Sequence, residues 1–163
     1  MTSQQRAYLA GLLDGDGSII LQLKPMPTMR YKFRVKSVVV FYQDTAYLAD
    51  LHRFQKWIGA GYVYTRNDHI SELRVEGHAQ VGQLLIKLKP YLQFKSKHAS
   101  YMLQALQLMS GKTSIDNFLS VCDLADEISM ASYVSRNRKY TAGYVRKILS
   151  ENNLIPVTTG LPK

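Results

Sequence analysis

Residues 18 to 42 alternate in polarity with a period of two on either side of a proline break, and nothing else in the chain restricts its fold so tightly. In Ser18 to Lys24, the side chains of Ile19, Leu21 and Leu23 point one way and those of Ile20, Gln22 and Lys24 the other. Pro25-Met26-Pro27-Thr28 interrupts the run, because neither proline can donate to a strand ladder. Tyr31 to Tyr42 resumes it, with Phe33, Val35, Ser37, Val39 and Phe41 on one face. The other face carries Lys32, Arg34 and Lys36, then Val38 and Val40. Period two is the signature of a half-buried strand, so this stretch reads as a hairpin with one apolar and one cationic side. A second hairpin is expected from Tyr62 to Arg66 and Ile70 to Glu76, turning through Asn67-Asp68-His69. There Leu73 and Val75 face inward, and Glu72, Arg74 and Glu76 outward.

Between and after the hairpins the spacing is helical. A short helix is predicted from Gln4 to Leu13, capped by Ser3 and closed by Asp14-Gly15-Asp16-Gly17. Thr45 to Ile58, capped by Asp44, sets Leu48, Leu51, Phe54 and Ile58 on one stripe before Gly59-Ala60-Gly61 stops it. Further helices are predicted over His78 to Leu88, Ser96 to Leu108, Ser114 to Ala131 and Thr141 to Asn152, with Ser114 and Thr141 as N-caps. Strands that pair with their sequence neighbours make one antiparallel sheet with the helices on one side, an α+β design. The predicted organisation is a single domain over residues 1–152 and a flexible tail over 153–163. The uncovered sheet face is tolerable if polar.

That face is cationic, and so is the whole chain: 21 Lys and Arg against 12 Asp and Glu give a net charge of +9. Such an excess calls for a polyanionic partner whose condensed counterions are released on binding. A membrane span is excluded, since the longest apolar runs, such as Val38 to Phe41, fall far short of ~18 residues. One cysteine, Cys122, excludes an internal disulfide or cysteine zinc cage, and it lies on a helical apolar stripe with Phe118 and Ala125. His52, His69, His78 and His98 show no metal-ligand spacing. The first residues lack a cationic-then-apolar leader, so an intracellular domain is expected.

The chemistry is concentrated in Leu9-Ala10-Gly11-Leu12-Leu13-Asp14-Gly15-Asp16-Gly17. Ala7, Gly11 and Gly15 recur every four residues, so one face of the first helix is nearly bare. Two such faces can meet backbone to backbone, and about a two-fold axis the contact is isologous. Each copy would bring Asp16 close to that axis. Asp16, with the carbonyl of Gly15, offers the hard oxygens that Mg²⁺ prefers, and Mn²⁺ or Ca²⁺ can take the same place.

This stretch resembles the signature of the LAGLIDADG homing endonucleases, departing from it at Leu13 and Gly15. Ile58-Gly59-Ala60-Gly61-Tyr62-Val63 and Leu88-Lys89-Pro90-Tyr91-Leu92-Gln93-Phe94-Lys95-Ser96-Lys97 match further segments in order. The resemblance implies the family's α-β-β-α-β-β-α fold with extra C-terminal helices and a saddle-shaped four-stranded sheet. It also implies a homodimer, since the motif occurs once, cutting both strands of a long, roughly palindromic DNA site to promote intron homing. By the same resemblance Gln43 orients water and Lys95 stabilises phosphate charge beside Asp16. Tyr47 departs from the pattern, standing where close relatives carry an arginine; Arg53, Lys97 and His98 are the residues that could compensate.

Base and phosphate contacts are expected from Gln22, Lys24, Arg30, Lys32, Arg34, Lys36, Tyr64, Arg66, Glu72 and Arg74 on the sheet. Val38 and Val40 are expected either to touch thymine methyls or to sit nearer the catalytic centre. Lys97 and the loop cations Arg136, Arg138 and Lys139 are expected to meet phosphates. The resemblance places such proteins in a chloroplast ahead of a mitochondrion, or in a prokaryotic cytoplasm. It leaves open an intron-RNA maturase and a non-cutting DNA-binding regulator of the same fold.

Overall fold

The computed structural model describes residues 1–131 and 138–156. Helix α1 (Ser3–Asp16) leads directly into β1 (Gly17–Pro25), followed by β2 (Phe33–Asp44), a short 3₁₀ turn (Thr45–Tyr47) and α2 (Leu48–Ile58). The second hairpin is β3 (Tyr62–Thr65) and β4 (Ile70–Glu76). Then come α3 (His78–Leu88), a 3₁₀ turn (Lys89–Tyr91), α4 (Ser96–Leu108), α5 (Ile115–Met130) and α6 (Ala142–Glu151). All strand pairs are antiparallel in the order β1-β2-β4-β3. The chain is α+β, as its alternation predicts.

The N-cap of α1 is Thr2, not Ser3. Its hydroxyl accepts from the Gln5 N–H at 3.2 Å while Gln5 Oε1 accepts from the Thr2 N–H at 2.8 Å, a reciprocal capping box. The helix also runs three residues past its predicted end at Leu13. Gly15 cannot stop it, because no left-handed cap forms there; the turn comes at Gly17, whose backbone is extended. A Cβ on Gly17 would lie 2.9 Å from both Leu13 Cα and the Val40 carbonyl oxygen. Only glycine lets the last turn of α1 pass so close to β2.

Inward residues of the sheet, Ile19, Leu21, Leu23, Val39, Phe41, Leu73 and Val75, are buried against Leu9 and Leu13 of α1, Leu51 and Phe54 of α2, and the helices α3 to α6. Asp44 caps the 3₁₀ turn by accepting from the Ala46 N–H at 2.7 Å. At the far end, α6 is tied to α5 by a two-bond Arg146–Asp123 fork, both at 2.7 Å. Residues 153–156 begin the expected tail, and there the Leu154 N–H bonds the Leu149 carbonyl while Ile155 packs on the core. Residues 157–163 lie outside the described residues.

Two features of the outer sheet face differ from the alternation. Strand β2 starts at Phe33, so Arg30 and Lys32 belong to the β1–β2 connection: Lys32 sits at φ +60 and its Nζ donates to the Pro27 carbonyl at 3.3 Å. Arg66 likewise lies beyond β3, its N–H bonded to the Ile70 carbonyl. Val38 and Val40 share parity with the outward residues yet are buried. At 2% and 0% exposure they offer no surface to a thymine methyl.

Candidate active site and nucleic-acid interface

The end of α1 is electrostatically negative. Its last turn holds Asp14 and Asp16 and no basic residue, and a helix C-terminus presents unpaired carbonyls and about half a negative charge. Asp14 does not face solvent freely. Its two carboxylate oxygens accept from the backbone N–H groups of Gln93 at 2.6 Å and Lys95 at 2.8 Å. In return, Lys95 Nζ donates to the Asp14 carbonyl at 2.6 Å. This three-bond clamp fixes Lys95 at the mouth of α4, next to the motif. Burial lowers the proton affinity of Lys95, while the fields of Asp14 and Asp16 oppose the shift.

Asp16 and Gly15 are exposed. Gln43, half-buried, pairs with Ser71 two residues beyond the Gly17–Phe41 pair, so the register sets it at the same end of the sheet as Asp16. Among the described residues no three His, Cys, Asp or Glu side chains cluster to hold a metal. One chain therefore supplies a carboxylate, a carbonyl and a negative helix end. Such a partial set of hard oxygens suits a divalent cation that keeps waters and takes phosphate oxygens as its remaining ligands.

The face of α1 that carries Ala7, Gly11 and Gly15 is exposed, and a Cβ built at Gly11 or Gly15 meets nothing within 4 Å. Tyr8 on the same helix and Phe94 beside the Asp14 clamp are large and solvent-facing, at 55% and 83% exposure, and Tyr47 at the start of α2 is 55% exposed. Phe94 is held in water by its neighbours, since the Asp14 clamp takes the N–H groups on either side of it. Sequence reasoning missed this role for Asp14, and no local pattern reveals a contact spanning 79 to 81 residues. Of the residues that could compensate for Tyr47, Arg53 is already engaged with Asp50 at 2.7 Å and lies over Trp57. His98 is buried, which leaves Lys97, exposed beside the Tyr101 ring.

On the outer sheet face the charges divide into two zones. Toward the α1 end, Glu72 accepts from Arg74 at 2.7 Å and Arg66 at 3.3 Å; Glu76 accepts from Lys36 at 2.8 Å, Arg74 at 3.3 Å and the Tyr62 hydroxyl at 3.2 Å. Arg66 also pairs with Asp68. Lys36, Arg66 and Arg74 thus face Glu72, Glu76 and Asp68, and the cluster is neutral. Burial alone would raise the carboxyl of Glu76, yet the bonds from Lys36 and Arg74 outweigh it and hold it below its ordinary range. Toward the hairpin tip, Lys24, Arg30, Lys32 and Arg34 have no carboxylate partner among the described residues. Tyr64 is exposed on the edge strand opposite Glu72, and Gln22 is exposed on β1 opposite Lys36.

A family profile described as LAGLIDADG endonuclease matches residues 9–108, most of the chain, with Asp14, Asp16, Gln43 and Lys95 inside the match. The chain belongs to the LAGLIDADG endonuclease family.

Its similarity to individual LAGLIDADG proteins is close. It is 37% identical to DNA endonuclease I-CreI of Chlamydomonas reinhardtii over 143 residues, 87% of this chain and 86% of that one. It is 32% identical to DNA endonuclease I-CvuI of Chlorella vulgaris over 146 residues, 90% and 85% of the two chains. Crystal structures of I-CvuI, one with the I-CreI target in 2 mM Mg and uncleaved, another with its own target in 2 mM Ca, superpose with TM-scores of 0.88. Each covers 94% of this chain.

The LAGLIDADG match ends before the last loop, where three cations are expected to meet phosphates. Arg136 lies outside the described residues. Lys139 is exposed, its ammonium 5.5 Å from the Tyr140 ring. Arg138 is a correction: its Nη1 donates to the Ala125 carbonyl at 2.7 Å and to Asp126 at 2.6 Å, and its side chain is only 18% exposed. Asp126 in turn accepts from the Ala142 N–H at 2.9 Å. Arg138 therefore ties the end of α5 to the start of α6, with Nη1 engaged within the chain.

Proposed function

We propose that this protein is a homing endonuclease that makes double-strand breaks in a long, near-palindromic DNA site as a homodimer. The observation that carries the reading is the end of α1, where an exposed acid and a clamped lysine meet beside a helix face with no side chains. Pairing two copies of that face about a two-fold axis brings both Asp16 carboxylates to one place, one for each strand to be cut. Curated relatives named as DNA endonucleases, and I-CvuI structures solved on DNA targets, support the nuclease class.

In this reading Asp16 and the Gly15 carbonyl hold a divalent cation against the scissile phosphate. Mg²⁺ is the proposed ion, with Mn²⁺ or Ca²⁺ able to occupy the site; when bound it would supply acidity to a water and positive charge for the leaving oxygen. Lys95, fixed through Asp14, places its ammonium beside the charge that grows on the phosphoryl oxygens. Gln43 orients water from the end of β2. Double-stranded DNA lies along the outer sheet face, with the cations of the hairpin tip on phosphates and Gln22, Tyr64 and the β4 side chains at base edges. The green-algal sources of the two relatives support a chloroplast gene, and the description of I-CvuI as a homing endonuclease supports a homing role.

The test is cleavage of a randomised duplex pool with Mg²⁺, followed by sequencing of the ends, using wild type and Asp16→Asn. A near-symmetric cut consensus with wild type, and binding without cutting by Asp16→Asn, is the expected result. Cutting by Asp16→Asn at the wild-type rate would refute the assignment. Retained binding to one duplex or to intron RNA with no cutting by wild type would point to a regulator or a maturase.

A further inference from the structure

We propose that Glu72 sets sequence discrimination by restraining Arg66 and Arg74, so that neither guanidinium is available to a phosphate backbone. The proposal rests on the DNA-binding reading above and deepens it. Glu72 is 6% exposed, lies in the middle of β4, and is paired across the sheet with Tyr42 on one side and Tyr64 on the other. A carboxylate so deep on a face meant for a polyanion needs a reason. Its oxygens are divided between two arginines from different segments, Arg74 on its own strand and Arg66 in the turn after β3.

The consequence follows from the chemistry of each group. Phosphate attracts any unpaired guanidinium whatever the base sequence, and each such contact adds about 0.9 to the steepness of the salt dependence. A guanidinium has five N–H donors in a rigid fork. Arg74 gives Nη1 to Glu72 and Nε to Glu76, so its remaining donors keep one fixed direction. Fixed donors reward a base edge that matches them, whereas a mobile arginine takes the nearest phosphate. The neutral cluster thus leaves unspecific attraction to the hairpin tip, where Lys24, Arg30, Lys32 and Arg34 have no carboxylate partner among the described residues, and reserves the inner strands for reading.

The experiment compares wild type, Glu72→Gln, Glu72→Asp and Glu76→Gln by fluorescence anisotropy. Each binds a selected target duplex and a random-sequence duplex with Ca²⁺, across a salt series. For Glu72→Gln, affinity for the random duplex should rise about threefold, the share of one added phosphate contact, because Arg66 keeps Asp68 and Arg74 keeps Glu76, with a salt slope steeper by roughly one. Affinity for the target should not rise, so the ratio of the two affinities falls. Glu72→Asp should restore part of that ratio, and Glu76→Gln should shift it the same way by less. Glu72→Asp keeps the charge and shortens only the reach, so it separates the restraint from the loss of a negative charge, and a far-ultraviolet spectrum matching wild type shows that each variant is folded. A folded Glu72→Gln with the wild-type slope and ratio, or with equal loss on both duplexes, overturns the inference while the DNA-binding reading stands. Failure of wild type to bind either duplex overturns both.

Discussion

Replacing Gly11 with alanine should make each chain more stable and the dimer weaker, and the opposite signs make it the sharpest test of the bare helix face. Gly11 lies inside α1, and a Cβ there meets nothing within 4 Å. Within one chain the methyl group is harmless, and glycine in a helix interior costs about 0.5–1 kcal/mol relative to alanine. For a chain of this size that gain is worth about 1–4 °C in Tm. Between two chains the methyl falls where backbones must touch. Overpacking costs about 1–3 kcal/mol per site, and an isologous contact repeats it, so the dimer loses about 2–6 kcal/mol. That is roughly 30- to 20,000-fold in dimer Kd. Sedimentation equilibrium reads the association, and thermal melts over a range of protein concentrations separate chain stability from it. Double-strand cleavage should fall with dimer content. A Gly11→Ala protein that melts higher yet associates and cuts like wild type would refute the idea that this face is an interface. A variant that loses stability at concentrations where only monomer exists would refute the claim that the space is empty.

Two further outcomes are expected. Arg138→Ala should lower stability by about 1.5–3 kcal/mol, because it removes charge-assisted bonds at the α5–α6 junction. The same change should leave the salt slope of DNA binding unaltered; a flatter slope in the titration would restore Arg138 as a phosphate contact. Glu76 is held below its ordinary pKa by Lys36 and Arg74. The unfolded chain therefore binds that proton more tightly, so the contribution is full above the ordinary value near 4.5 and is lost as pH falls through the folded value. Chemical denaturation between pH 3 and 6 should show wild type losing stability on acidification by more than Glu76→Gln does, and parallel curves would contradict the pairing.

Most of the architecture was legible because it depends on local periodicity. Alternation identified every strand, and the His78–Leu88 and Ser96–Leu108 helices fall where spacing placed them. The errors fell where long-range contacts override local signals. Asp14-Gly15-Asp16-Gly17 looked like the helix stop as a whole, yet the helix runs through Asp16 and turns only at Gly17, where a Cβ would meet Leu13 and the Val40 carbonyl. Val38 and Val40 were read as available because parity reports which way a side chain leaves the strand, not what lies over it. The same limit concealed the neutral cluster: outward arginines and glutamates were visible one by one, but pairing between Arg66, Glu72, Arg74 and Glu76 requires strand order and register. A net charge of +9 says that cations are in excess. Only the fold says which of them are unpaired.

That distinction bears on how the two acids of the motif divide their work. Asp14 and Asp16 stand two residues apart at the end of one helix, which turns them to different sides of its axis. Asp14 faces its own chain, where its carboxylate fixes the Gln93–Lys95 backbone and its carbonyl receives the Lys95 ammonium. Asp16 is left exposed. An asparagine at 14 would keep one acceptor oxygen and turn an amide N–H toward a backbone N–H, so it would release either Gln93 or Lys95. An asparagine at 16 would break no hydrogen bond or ion pair among the described residues; it would remove the charge offered to a cation and the field that Asp16 exerts on Lys95. The two substitutions should therefore be separable, the first altering stability and the placement of Lys95, the second altering chemistry alone. Two carboxylates so close in sequence are needed because one must be spent within the fold for the other to be presented at its surface.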